Sequence, residues 1–353
     1  YVHSNSRTHS DYMRTNNMSG QLRRVFSGIQ PTGCLHLGNY FGAVKHWLRL
    51  QDDSNYKDNV IISIVDLHSL TVKQNPVMLK SSILTMTATL LGCGIDPSKC
   101  IFFLQSMVPQ HTQLCWVLSS LLSLPRLGQL PQFKEKTQGK TEVQLGLFIY
   151  PVLQSADILV YKATDVPVGE DQLQHIQLAQ YLAKKFNSEF GYLFPHARAL
   201  LPDSASVRIK SLRNPSKKMS KSDPDKRSRI EILHSGDDIL EICKKSITDF
   251  TSEVTYDPER RAGVANLIDI HSLCTGKTPE QICLESEGIV TAQYKLLLAD
   301  AIESFVSPIR TKTNDLLKNP DYLVKVLQSG AEKAQTLASQ TWTEVCSQIG
   351  IRP

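Results

Sequence analysis

Two short stretches of this chain bring together residue types that can handle a polyphosphate. The first, SGIQPTGCLHLGN at 27–39, sets glycines at 28, 33 and 38 beside His36 and Asn39. Glycines let an anion approach backbone N–H groups where a strand turns into a helix, and an imidazole beside them can donate to phosphate oxygens. The second, PSKKMSKSDPDK at 215–226, packs four lysines and three serines around Met219. Lys218 and Lys221 are point charges on flexible stems that can follow charge as it moves between phosphates, and Ser220 and Ser222 add hydroxyl donors. Taken singly, neither stretch decides anything. Glycine-rich turns serve many unrelated nucleotides, and a lysine-rich loop is most often simply solvated.

Two commoner phosphate-binding patterns are excluded. The GKT triplets at 139–141 and 276–278 look like the tail of a P-loop, but the first glycine of that motif would fall on Lys134 and His271. The GxGxxG fingerprint of dinucleotide-binding folds is absent from the first strand-to-helix turn. Eight cysteines include no CxxC, so neither a zinc site nor a disulfide framework is expected, and thiols such as Cys93 read as small buried hydrophobes in a reducing compartment. The net charge of +5 tolerates a polyanionic partner without demonstrating one. No apolar run comes near the roughly 18 residues that span a bilayer, so no membrane partner is expected.

Elements must position these stretches. From residue 24 onward short apolar runs alternate with longer helix-period segments: RVFSGI then 38–51, NVIISIV then 76–91, CIFFLQ then 112–123. That alternation predicts βαβ units and a parallel sheet, and the wholly apolar VIISIV suits a strand covered on both faces. Asn75 is an expected N-cap, with Pro76 at the first helical position. Residues 124–148 lose the periodicity and read as an excursion from the sheet, a place where function often sits. YPVLQSADILVYKA then reads as a helix, DVPVG as a buried strand and turn, and EDQLQHIQLAQYLAKKF as a helix with an acidic first turn. Beyond residue 228 helix-period segments dominate, which predicts an α/β domain at 25–228 and a helical one at 229–353. In the latter, Leu296, Leu297, Ala301 and Phe305 recur at helical spacing and read as core packing. The first 24 residues hold four arginines against one aspartate, a composition that suits a transit segment or, equally, a disordered extension.

HLGN on the first turn and KMSKS after the last strand-like segment, in that order, resemble the paired signature of class I aminoacyl-tRNA synthetases, whose two motifs embrace ATP from opposite sides. Read with SIVDLHSLTV, QFKEK, ADILVY and VPVGEDQLQHI, the sequence resembles the bacterial and organellar tryptophanyl-tRNA synthetases from about Val25 to the C-terminal helices. SGIQPTG and PVGEDQ are the tryptophanyl rather than the tyrosyl forms of these blocks. The resemblance implies a Rossmann-type parallel sheet followed by a helical, anticodon-binding domain. It also implies ATP with Mg²⁺, tRNA(Trp) as partner, a homodimer and a place in the mitochondrial matrix.

Carried over position by position, the resemblance assigns catalytic roles to His36, Lys136, Lys218 and Lys221. It puts Gln30, Gly38, Asn39, Gly169, Asp171, Met219 and Ser220 with those two lysines of the loop on ATP, Asp171 meeting the ribose hydroxyls. Tryptophan falls to Phe26, His68, Gln132, Gln154, Asp157, Val168 and Gln172, and Lys134 lies in the same QFKEK segment. Asp157 matches the carboxylate that accepts the indole N–H, a bond that would leave a wrong substrate's partner unpaired. His68 retains a plainer reading as a satisfied core histidine, and Glu170 and Asp171 one as acidic capping. Gln154 departs from the bacterial pattern, which has Met there, and brings an amide that needs partners once buried. Two rival functions stay open at this level: a tyrosine-tRNA ligase, and a noncatalytic tRNA-binding paralog that keeps the fold.

Overall fold

The computed structural model describes residues 23–130, 142–201 and 208–351. Five strands form one parallel sheet in the order β3-β2-β1-β4-β5: β1 Val25–Ile29, β2 Val60–Ile64, β3 Ile101–Leu104, β4 Asp165–Pro167 and β5 Arg198–Leu200. The strand order reverses between β1 and β4, and in open α/β sheets ligands bind at the strands' C-terminal ends where that happens. All five residues of β2 are buried, as its apolar run predicts for a strand covered on both faces.

After β1 the chain turns helical at Leu37–Asn39, widens into a π-helical turn at Tyr40–Val44 and continues as α1, Lys45–Asp52. The remaining long helices are α2 Pro76–Cys93, α3 Gln110–Ser120, α4 Leu145–Leu159, α5 Leu173–Phe190, α6 Gly236–Lys244, α7 Ala262–Thr275, α8 Thr291–Leu317 and α9 Pro320–Ile349. Asn75 caps α2 as expected, its Oδ1 accepting from the N–H groups of Val77 and Met78 at 3.0 and 3.1 Å.

Alternate residues of each strand feed two cores. Val60, Ile62 and Ile64 of β2 join Phe102 of β3 on one face, while Ile61 and Phe103 join Phe26 of β1 on the other. The C-terminal helices belong to both. Tyr294, Leu298, Ile302 and Val306 of α8 and Leu323 and Leu327 of α9 complete the first core, and Ala331, Ala334, Ala338 and Val345 of α9 complete the second. Thus α9 passes the edge strand β3, shielding backbone that would otherwise be open to pairing. The crossing is tight at Gly330, where an added Cβ would lie 1.8 Å from the Phe102 carbonyl oxygen.

Two expectations need correcting. The core stripe of α8 does not use Leu296 and Leu297, which are 39% and 47% exposed. They stand one and two residues from Leu298, about 100° of rotation each, so the same helical spacing points them outward. Also, α2 is 18 residues long and apolar enough to cross a bilayer by length and composition, whereas no such run was expected. Its second half is buried from Met86 to Leu91 within the first core, which is where its apolar character is used.

Candidate active site

The crevice opens because β1 and β4 are paired at their starts, Val25 opposite Asp165, and part thereafter. Pro167 has no N–H with which to extend the ladder. A cavity of about 300 Å³ occupies the gap, walled by Phe26, Ser27 and Gly28 on one side and Val166, Pro167 and Val168 on the other. His68, Gln154, Asp157 and Gln172 also line it, as do Gln30 and Gly169.

Asp157, on α4, is 1% exposed and accepts three hydrogen bonds. Gln105 Nε2 and His111 Nδ1 donate to Oδ1 at 2.7 and 2.6 Å, and His68 Nε2 donates to Oδ2 at 2.7 Å. Burial by itself pushes a carboxyl up, but the charge of His68 and the bonds from His111 and His68 hold Asp157 well below the usual range. His68 reaches it from the helical turn Asp66–Ser69 that follows β2. That turn is fastened to the end of β3, since Leu67 N–H donates to Gln105 Oε1 and Ser106 N–H to Asp66 Oδ1.

A second polar chain starts at Tyr150, on the same helix as Asp157; the Tyr150 ring meets that of His68 edge-on at 6.4 Å. Tyr150 lies 3.3 Å from His175 Nε2, and His175 Nδ1 lies 2.8 Å from Gln172 Oε1. Gln154 Nε2 donates to the same oxygen at 3.3 Å, and Gln172 Nε2 donates to Asp171 Oδ2 at 2.8 Å. The amide of Gln154 is therefore satisfied by its neighbour Gln172. Asp171 is held low although burial raises it, because Gln172 bonds to it and Lys218 and Arg208 place positive charge nearby. Lys218 is thus within electrostatic reach of Asp171.

HLGN and KMSKS meet in one seam. Leu37 N–H donates to Ile230 O at 2.9 Å and Ile232 N–H to Leu35 O at 2.8 Å, so the first turn pairs with the segment just past the lysine loop. Lys221 Nζ donates to Thr32 O at 3.1 Å, beside Gly33, whose φ of +69° asks for glycine. A Cβ on Gly38 would lie 3.0 Å from the His36 ring and 3.4 Å from Met219 Cβ, so the absence of a side chain is what lets the motifs approach. The loop is also held from behind, as Arg213 Nε donates to Asp225 Oδ2 at 3.1 Å and Arg229 Nη1 to Asp223 O at 3.1 Å.

His36 caps the helical turn, its Nδ1 accepting from Asn39 N–H at 3.2 Å while Asn39 Oδ1 accepts from His36 N–H at 3.4 Å. Burial, with help from Lys221, Arg229 and Lys218, pushes the imidazole down to about 3, so the ring is neutral and Nε2 carries its one proton. Burial likewise pushes Lys221 down to about 8. The seam holds a neutral donor and two cations, a set suited to an anion whose charge shifts position.

Of the residues singled out in the sequence, Phe26, Gln30, His68, Gln154, Asp157, Val168, Gly169 and Gln172 share the cavity, and His36, Gly38, Asn39, Met219, Ser220 and Lys221 share the seam. Asp171, bonded to Gln172, stands at the cavity's edge within electrostatic reach of Lys218 on the loop. Gln132, Lys134 and Lys136 lie outside the described residues. Sequence reasoning missed Gln105, His111 and Tyr161, which support Asp157, and Tyr150 and His175, which support Gln172. Gln105 and His111 were nonetheless findable, because both follow the C-terminal end of a predicted strand, where such sheets place ligands.

Fold and site together are those of a class I aminoacyl-tRNA synthetase. Within that class the chain belongs to the family described as tRNA synthetases class I (W and Y), whose model matches residues 18–307. It is 40% identical over 330 residues to the tryptophan-tRNA ligase of Caldanaerobacter subterraneus subsp. tengcongensis, covering 94% of this chain and 99% of that one. It is 42% identical over 329 residues to the mitochondrial tryptophan-tRNA ligase of Caenorhabditis elegans, covering 92% and 90% respectively. Among solved structures, tryptophanyl-tRNA synthetase from Campylobacter jejuni, complexed with ADP and tryptophan, superposes with a TM-score of 0.82 at 32% identity, covering 93% of this chain and 99% of that one.

Proposed function

We propose that this chain activates tryptophan with ATP and transfers it to tRNA(Trp). The observation that carries the reading is one crevice that joins a buried carboxylate, Asp157, to the seam of HLGN and KMSKS. The carboxylate of tryptophan is its own nucleophile and attacks the α-phosphate, forming tryptophanyl-adenylate as pyrophosphate departs. The protein then needs positioning and charge stabilisation rather than a catalytic base. The indole lies between Phe26 and Val168 near His68 and donates to Asp157. Gln172, with Gln154 beside it, holds the polar end of the amino acid. Gln30, Gly38, Asn39 and Gly169 contact ATP, and Asp171 takes its ribose hydroxyls. His36 donates from Nε2 to phosphate, and Lys218, Lys221 and Ser220, with Met219 seating the loop, follow the charge onto pyrophosphate. Gln132 and Lys136 complete the substrate and pyrophosphate contacts. In the second step a ribose hydroxyl at the tRNA 3′ end attacks the activated carbonyl and AMP leaves.

Among the described residues no three His, Cys, Asp or Glu side chains gather into a metal site. The phosphate side of the crevice offers lysines, a neutral imidazole and hydroxyls, a set that fits Mg²⁺ carried on ATP, whose charge the ion neutralises. The helices beyond residue 229 read the anticodon, with Lys312, and Lys318 once it leaves Asp315, meeting phosphates. The molecule works as a homodimer, as the resemblance implies. It serves the mitochondrial matrix, supported by the likeness to a mitochondrial relative and by the arginine-rich first 24 residues. Pyrophosphate exchange with tryptophan and with tyrosine tests the activity: exchange is expected with tryptophan alone. Exchange driven by tyrosine would favour the tyrosine ligase, and none with either would favour the noncatalytic paralog.

A further inference from the structure

The donors around Asp157 can be counted against its lone pairs. Each carboxylate oxygen has two. Gln105 Nε2 and His111 Nδ1 fill both on Oδ1, and His68 Nε2 takes one on Oδ2. One acceptor position remains, on Oδ2, in a side chain that lines the cavity.

His111 is fully buried near the start of α3, with its ring 5.3 Å from Tyr161 and 5.8 Å from Phe103. Its Nε2 lies 2.8 Å from the Tyr161 hydroxyl. Because Asp157 only accepts, His111 Nδ1 carries the proton it donates there, and Nε2 pairs with the Tyr161 O–H. Tyr161 keeps its own proton, since burial and the nearby Asp157 charge raise it well above the ordinary phenol. Asp157 and Tyr161 thus hold the His111 ring between them, and His111 sets which acceptor of Asp157 is left over.

We propose that His111, held by Tyr161, is a positioning residue for tryptophan selection: by filling the last acceptor on Oδ1 it leaves Asp157 a single lone pair, on Oδ2, for the indole N–H. The proposal rests on the tryptophan-activating reading above. Without His111 the carboxyl loses a donor that opposes its protonation and gains a spare acceptor away from the substrate. A rotated carboxyl turns its spare acceptor away from the indole N–H, and a protonated one accepts from it more weakly. Tryptophan suffers for that, and an isostere with sulfur in place of the ring N–H does not.

The test compares kcat/KM in pyrophosphate exchange for L-tryptophan and for L-3-benzothienylalanine, using the wild type and the variants Tyr161→Phe, His111→Asn and His111→Leu. The preference for tryptophan is expected to fall about tenfold or more in His111→Leu, as befits a lost hydrogen bond to a charged group, and severalfold in Tyr161→Phe. His111→Asn, whose amide N–H can stand where Nδ1–H stood, should restore much of it. Values for the sulfur analogue should barely move. Equal losses for both amino acids, or an unchanged preference in Tyr161→Phe and in whichever His111 variants fold, would overturn the proposal. A wild type that does not separate the two amino acids would sink the assignment of Asp157 to the indole, and this inference with it.

Discussion

At the scale of single residues, burial rather than residue type decides what each group can do. Lys221 and Lys218 look alike in the sequence, but the sequence does not show that burial against the first turn pushes Lys221 down to about 8. Its protonated form meets phosphate, and that form is lost as pH rises through this value. The kcat/KM for ATP should therefore fall above about pH 8, and Lys221→Arg, charged throughout, should remove that fall. A flat profile from pH 7 to 9 in the wild type would contradict this. Gln154 gives a second prediction. Because its amide is held by Gln172, Gln154→Met should leave tryptophan activation working while changing the affinity of indole-based inhibitors, which titration calorimetry would measure. Unchanged binding of every indole analogue would show that residue 154 does not line the pocket. Asp157 could be singled out only because its ADIL block matches the family pattern. The convergence of Gln105 and His111 with His68 could not be read, because Gln105 and His111 follow β3 and His68 follows β2, and the two strand ends meet at Asp157 only once the sheet is formed.

At the scale of elements, the seam depends on how closely a helical turn and a loop approach. HLGN and KMSKS were legible as a pair because motif residues are local in sequence. Their contact was not, since it runs through backbone bonds from Leu35 and Leu37 to residues 230 and 232. Gly38 is the pinch point. Gly38→Ala puts a methyl 3.0 Å from the His36 ring and 3.4 Å from Met219. A shift of a few tenths of an ångström in the reacting groups should lower the rate of adenylate formation by about 10- to 100-fold. Thermal stability should change little. Single-turnover kinetics beside a melting curve would check both, and an unchanged rate would mean that the seam tolerates loosening.

At the scale of the whole molecule, the sheet and the C-terminal helices share their cores. Alternating runs announced the parallel sheet, and helix-period segments announced the helices. The sequence could not show which face of α8 points inward, because Leu296 and Leu297 fit the same spacing as Leu298, and only packing against α2 and α6 selects among them. Nor could it show that α9 crosses β3 at Gly330. Gly330→Ala would drive a methyl into the Phe102 carbonyl and should destabilise the fold by about 3 kcal/mol or more. Because α9 joins both cores, calorimetry should show one transition moved to lower temperature; two separate transitions would mean that sheet and helices unfold independently. Sheet, seam and helices together serve one selection, that of tryptophan. Its most direct test is to incubate the protein with ATP, Mg²⁺ and an equimolar mixture of amino acids and to identify the enzyme-bound adenylate by mass spectrometry. Tryptophanyl-adenylate is expected; tyrosyl-adenylate, or no adenylate, would overturn the assignment.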